Sequence, residues 1–290
     1  MDRKFTLSCC STVDLPYSYM ESRDIPVLFY TYVVDGVEYD DDMGRDPEAL
    51  PRFYRFLEEG KLPQTSQINV AAYMDFFENL LQKGDLLHIA FTSGQSGSVH
   101  NAFLAAEELR EKYPERTIYV VDTLCASRGE GLLVWYACKK RDEGMTLDEL
   151  HKWVEDTKLH LCHWFTVDDL MYLKRGGRIS AATALVGTML KVKPVLHVDN
   201  EGHLINMFKV RGRKASLEAI ANKLGELGGN YDNSTVFICH GDCIDDAEYT
   251  ASLIREKTGA KTVIINYVGP VIGAHTGPGV ISIFFVGTHR

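Results

Sequence analysis

The chain has 290 residues, is 45% hydrophobic and 24% charged, and carries a formal net charge of -9; that length corresponds to about two domains. The acidic balance lacks the basic footprint of a nucleic-acid binder and works against electrostatic docking on anionic membranes. No apolar run reaches the ~20 residues of a bilayer span, and Met1-Asp2-Arg3-Lys4 leads into a short mixed strand rather than a signal-peptide core, so a cytoplasmic protein is expected.

Residues 5–8 read as a strand. Residues 27–32 and 37–39 read as strands flanking Asp35-Gly36, a hairpin turn signal. Residues 47–57 read as a helix with Asp46 as its N-cap, followed by a polar loop over 60–67. The Ala71/Met74 and Phe77/Leu81 spacing predicts a helix over 70–81. A buried strand over 85–91, a helix over 99–112, a strand over 117–121 and a helix over 130–141 complete the first half. This alternation predicts parallel strands covered on both faces.

The second half begins with a helix over 147–157 and a strand over 160–166. Strands at 194–198 and 204–210 flank Asp199-Asn200-Glu201-Gly202, a second hairpin. A helix at 214–227, a strand at 235–239, a helix at 246–257, a strand at 262–267 and a closing strand at 280–286 follow. The expected fold class is therefore α/β, with two α/β domains, residues 1–160 and 161–290. The first has a mainly parallel sheet, and the last strand is free to return to it.

The seven cysteines form an odd set without a Cys-x-x-Cys pair, which does not read as a disulfide framework. Cys239-His240-Gly241-Asp242-Cys243 is the nearest thing to a metal cluster, but it lacks a second matching pair. No metal site is expected; Cys239 reads as the end of a buried strand. Asp40-Asp41-Asp42 lacks the ligand spacing of a calcium loop and reads as a solvated turn. No phosphate-loop or dinucleotide fingerprint is present, since Gly129-Glu130-Gly131 stops short of a third glycine.

Four clusters rich in hydroxyls or glycine carry the chemistry: Cys10-Ser11-Thr12-Val13-Asp14, Gln64-Thr65-Ser66-Gln67, Thr92-Ser93-Gly94-Gln95-Ser96-Gly97-Ser98, and the glycine-rich run 269–279 containing His275. The third follows a buried strand and opens a helix. Its amides and serines therefore suit an anion at the carboxyl end of a sheet. Two readings of Ser96 stand side by side. Gly94-Gln95-Ser96-Gly97-Ser98 nearly matches a nucleophile elbow, with His275 downstream and Asp122 or Asp242 to orient it, as in a serine hydrolase. The same serine also serves as a hydrogen-bond donor to a bound carboxylate. His275, on a glycine-rich loop, reads as exposed rather than packed, and as protonated beside a carboxylate. Arg178, after Gly176-Gly177, is a second cation suited to a carboxylate or phosphate.

Taken in order, these segments resemble the DegV family of bacterial fatty-acid-binding proteins. The matching pieces are Thr65-Ser66-Gln67, Ser93-Gly94-Gln95-Ser96-Gly97, Val121-Asp122-Thr123 with Ser127-x-Gly129-x-Gly131, Leu173-Lys174-Arg175-Gly176-Gly177-Arg178-Ile179-Ser180 and the 269–279 run. The resemblance implies two α/β domains with a long-chain fatty acid at their junction, no cofactor, and a separate fatty-acid kinase that phosphorylates the acyl carboxylate. It implies Thr65, Ser96, Gly97 and His275 around the carboxylate and Arg178 as support for the headgroup or acyl phosphate, with no catalytic residue. Three places depart from the family pattern. Cys10-Ser11-Thr12 stands for Asp-Ser-Thr, Ile68-Asn69 follows Thr65-Ser66-Gln67 in place of Pro-Ser, and Ser96-Gly97-Ser98-Val99 replaces Ser-Gly-Thr-Tyr.

Overall fold

A computed structural model describes residues 5–180 and 191–290. The first sheet holds β1 (Phe5–Cys10), β2 (Val27–Leu28), β6 (Asp85–Ala90) and β7 (Ile118–Asp122) in the order β2-β1-β6-β7, all parallel. Both faces are covered, which explains the unbroken apolar runs. Leu86 and Ala90 pack under α3 (Val70–Leu81) and α4 (Ser98–Lys112). Leu87 and Ile89, pointing the other way, pack against α5 (Arg128–Asp142) and α6 (Leu147–Thr157). A Thr146–Glu149 capping box starts α6.

The second sheet contains β8 (Leu161–Thr166), β9 (Val192–Val198), β10 (Leu204–Arg211), β11 (Thr235–His240), β12 (Thr262–Tyr267) and β13 (Ile281–Val286), in the order β10-β9-β8-β13-β11-β12. Only β11 and β12 run parallel to each other; the closing strand lies mid-sheet between β8 and β11. Its outer face packs on α8 (Arg213–Leu227) and α9 (Ile244–Thr258). Its inner face shares one continuous core with α5, α6 and the first sheet, through Phe165, Phe237 and Phe284.

Residues 27–32 form two strands rather than one. The chain leaves the first sheet after β2, and β3 (Thr31–Val34) pairs antiparallel with β4 (Val37–Asp40) and β5 (Gln64–Thr65) in a small third sheet. Tyr30 marks the crossing: its amide donates to Ser11 Oγ at 3.1 Å, and its carbonyl accepts from Asp41 N at 2.9 Å. Asp35 and Gly36 both have positive φ, as a two-residue primed turn requires. The segment read as a polar loop thus contains the strand that places Thr65. The first-half helix α2 (Ala49–Glu58) starts two residues later than expected. Asp46 accepts from Glu48 N at 3.0 Å, capping the turn before it.

The glycine-rich run is also more ordered than its composition suggests. Residues Pro270–Thr276 form a short helix, α10, begun by Pro270 at the first helical position. After β8 comes α7 (Leu170–Arg175), capped by Asp169 accepting from Met171 N.

The tightest contact between the layers lies at the start of α5. A Cβ on Gly129 would sit 1.8 Å from His163 Nε2 of β8. Gly129→Ala is expected to lower stability by about 1–3 kcal/mol through overpacking, read as a lower urea midpoint with an unchanged denaturant slope.

Candidate ligand site between the two sheets

A cavity of about 300 Å³ opens between the two sheets. Phe91, Ser96 and Ser127 come from the first half, and Phe165, Leu204 and Phe284 from the second. Thr65, Arg178 and His275 also line it, and the same three line an adjoining outer hollow with Tyr172 and Arg175. The polar group of the site therefore stands at the junction of an apolar chamber and a polar vestibule.

Each side chain arrives there by a different local device. Pairing of Thr65 with Tyr32 sets its register, and Thr65 Oγ1 lies 2.9 Å from His275 Nε2. His275 occupies the last turn of α10, half-buried and hydrogen-bonded rather than exposed. Burial, with the positive charge of Arg178, pushes its pKa down to about 4. In the ligand-free protein the imidazole is neutral at pH 7. Gly176 closes over this ring, for a Cβ there would lie 2.1 Å from His275 Nδ1. Gly177 holds φ at +74°, which completes the turn after α7.

Arg178 does more than offer charge. Its Nε and Nη2 donate to Gln95 O at 3.1 and 2.9 Å, and Nη1 donates to Gly176 O. It ties the end of α7 to the loop that carries Ser96. Burial lowers its pKa from the usual arginine value. That loop is held from a third side by the β9–β10 hairpin, where Gln95 Nε2 donates to Gly202 O at 3.1 Å. Close approach needs glycine on the loop, because a Cβ on Gly94 would meet Gly202 C at 2.5 Å.

Ser96 Oγ accepts from Ser98 N at 3.2 Å at the start of α4, which leaves its own proton free. Gly97 stands back from the cavity wall, with the Gln67 side chain against its Cα. The structure does not assemble a hydrolytic triad. His275 is bonded to Thr65 rather than Ser96, Asp122 accepts from the amides of Ser93 and Leu124, and Asp242 accepts from the Tyr267 hydroxyl. A nucleophile elbow also puts its serine on a strained backbone, and Ser96 has no positive φ.

The family model described as "Uncharacterised protein, DegV family COG1307" matches residues 9–288. The chain belongs to the DegV family. A DegV domain-containing protein of Clostridium perfringens is 44% identical over 98% of each chain. A Thermotoga maritima structure described as revealing a fatty-acid-binding function is 29% identical, covers 98% of this chain and 99% of its own, and has a TM-score of 0.83. A Thermus thermophilus DegV family structure, described by its fatty-acid binding, is 26% identical over 98% and 99% of the two chains, with a TM-score of 0.86.

In this DegV chain, the sequence put Asp14 in the first hydroxyl cluster and Ser127 in a matching family segment without giving either a role, and nothing in it marked Tyr30; Ser127 and Tyr30 line the cavity, and Asp14 stands behind Ser127. Ser127, at the start of α5, has φ 52° and ψ -140°, a strained conformation for a non-glycine residue. Its hydroxyl donates to Asp14 Oδ2. Asp14 Oδ1 accepts from Gly269 N at 3.0 Å, just before α10. One buried carboxylate thus fixes two walls of the cavity. Burial pushes the Asp14 pKa up to about 7, against the pull of these two bonds and of Arg128.

The folded protein accordingly holds this proton more tightly than the unfolded chain. The resulting stability is full below about pH 4, the unfolded carboxylate range, and is lost as pH rises toward about 7. Asp14→Asn is expected to reduce the fall in unfolding free energy across that window, as measured by urea unfolding at a series of pH values.

Proposed function

We propose that this DegV protein carries a long-chain fatty acid, its carboxylate between Thr65, Ser96 and His275 and its tail in the apolar chamber. One observation carries the reading: two hydroxyls and an imidazole line the same cavity as Phe91, Phe165, Phe284, Leu173, Leu204 and Val198. The fatty-acid-binding descriptions of the Thermotoga and Thermus structures support it.

The energetics divide between the two ends of the ligand. Each buried methylene contributes ~0.8 kcal/mol, so a sixteen-carbon tail offers up to ~12 kcal/mol before ordering costs. The carboxylate needs only enough donors to offset its desolvation. Ser96 has a proton to give, the first amides of α4 lie beside it, and Thr65 and His275 share a bond that can turn toward an anion.

The finer reading is that a separate fatty-acid kinase phosphorylates the bound acyl carboxylate from the outer hollow. Arg178 then supports the headgroup and the acyl phosphate, and this chain supplies no nucleophile. The setting is cytoplasmic in this reading, in keeping with seven unpaired cysteines. No described helix is long and apolar enough to cross a membrane.

Organic extraction of the purified protein followed by mass spectrometry should yield fatty acids. Protein that carries none and takes up none when it is added would sink the proposal. A second test uses the titration of His275. An ionised carboxylate beside it favours the charged imidazole, so its pKa rises from about 4 on binding. Binding near pH 6 should therefore take up a fraction of a proton, and affinity should strengthen as pH falls from 7 toward 5. Calorimetry in two buffers of different ionisation enthalpy measures this uptake, and His275→Gln should remove it.

A further inference from the structure

Behind the Ser96 loop runs a chain of buried polar side chains within the first domain. Ser8 Oγ lies 2.9 Å from His88 Nδ1, and His88 Nε2 lies 3.6 Å from Cys10 Sγ. Cys10 Sγ lies 3.4 Å from the Tyr73 hydroxyl, which lies 3.1 Å from Ser98 Oγ. All five residues are buried. Each interior member has a neighbour on either side, so the chain is satisfied within itself.

Tyr30 stands at the end of this chain and lines the ligand cavity. It is 2% exposed, and its hydroxyl makes no hydrogen bond of normal length, only weak contacts with the serine hydroxyls beside it. The groups it faces there are the hydroxyls of Ser96 and Ser98. Ser96 Oγ already accepts from Ser98 N, and Ser98 Oγ is engaged by Tyr73. A buried hydroxyl without a partner is costly. It persists here beside the very serine assigned to the carboxylate.

We propose that the Tyr30 hydroxyl is a further donor to the ligand's carboxylate, adding to Ser96 and Thr65. The assignment rests on the fatty-acid reading of the site. It follows from what surrounds the phenol. The nearby ionisable groups are pushed toward their neutral forms: burial raises the Cys10 thiol, the Tyr73 phenol and the Glu130 carboxyl, and lowers His88 to about 3. None of them gives the Tyr30 proton a hydrogen-bond acceptor. The carboxylate brought in by the ligand does, and at the edge of an apolar chamber such a charge-assisted bond is among the stronger ones available. The crossing of the chain at Tyr30 serves this role. Its amide and carbonyl are pinned by Ser11 and Asp41, which fixes the ring's entry into the cavity.

Tyr30→Phe removes the hydroxyl and keeps the ring. The test compares delipidated wild-type and variant protein for binding of tetradecanoate and of 1-tetradecanol, together with thermal unfolding of the lipid-free forms. The variant is expected to bind the acid about tenfold or more weakly, the loss of a hydrogen bond to a charged group. Its affinity for the alcohol should change by less than about threefold, and its unfolding midpoint should stay level or rise, because no bond is lost in the free protein. Undiminished acid binding, or equal losses for acid and alcohol, overturns the assignment. So does a lowered midpoint, which would mean that the hydroxyl supports the fold. Wild-type protein that binds neither ligand would take down the fatty-acid reading and the Tyr30 assignment with it.

Discussion

The close approach of the first turn of α5 to its neighbours governs the interior. A helix buried on two sides must meet one sheet's loops and the other sheet's face at once. Gly131 lets the Val13 carbonyl come in, since a Cβ would lie 2.4 Å from that oxygen, and Gly129 admits the His163 ring. Between them Glu130 accepts from Thr12 Oγ1 at 3.0 Å, and Arg128 donates to Asp14 O at 3.1 Å. Both charged residues are fully buried. Burial raises the Glu130 pKa and lowers that of Arg128. The turn fits only with small residues at alternate positions and polar partners at the others.

That packing sets the cavity by leaving room beside it. Where α5 meets the second sheet through Phe284 and His163, the layers touch. Toward the ends of β6 and β8 they part, and loops from both halves close the gap. The loops are held by backbone acceptors more than by ion pairs. Arg178 donates to carbonyls of Gln95 and Gly176. Arg290 donates to carbonyls of Leu124, Lys158, Leu161 and Asp199. Carbonyl acceptors cannot be lost by protonation, so these ties hold over a wide pH range.

The rim is neutral in the free protein except for Arg178. Ser96 and Thr65 offer hydroxyls, and His275 is deprotonated by burial. A neutral rim costs little to keep dry, and an anion entering it raises the His275 pKa rather than meeting a preformed ion pair that must first be broken. Asp14, one layer behind, carries the opposite cost. It is a carboxylate raised by burial and retained because it fixes both Ser127 and Gly269.

Much of this was legible in the sequence, because periodicity reports which faces of an element are buried. The parallel strands of the first sheet, the α3 and α4 repeats, the two hairpins and the α6 cap could be read from patterns within a few residues. The order of the Thr65, Ser96, Arg178 and His275 segments carried the family resemblance. What the sequence could not decide depended on distant partners. The split at Tyr30 came from β3 finding β5 across the 29 residues between them, and a two-residue strand has no periodicity to read. The helix at Pro270–Thr276 is too short to announce itself amid glycines. Ser127 was legible only as part of a family segment; its positive φ and its bond to the carboxylate of Asp14, more than a hundred residues away in the chain, belong to the fold. The role of His275 turned in the same way: composition suggested an exposed cation, whereas burial beside Arg178 makes it a neutral imidazole hydrogen-bonded to Thr65. Local sequence determines which residues can form an element or a turn; only the folded chain sets the burial and the neighbours that decide charge and hydrogen bonding.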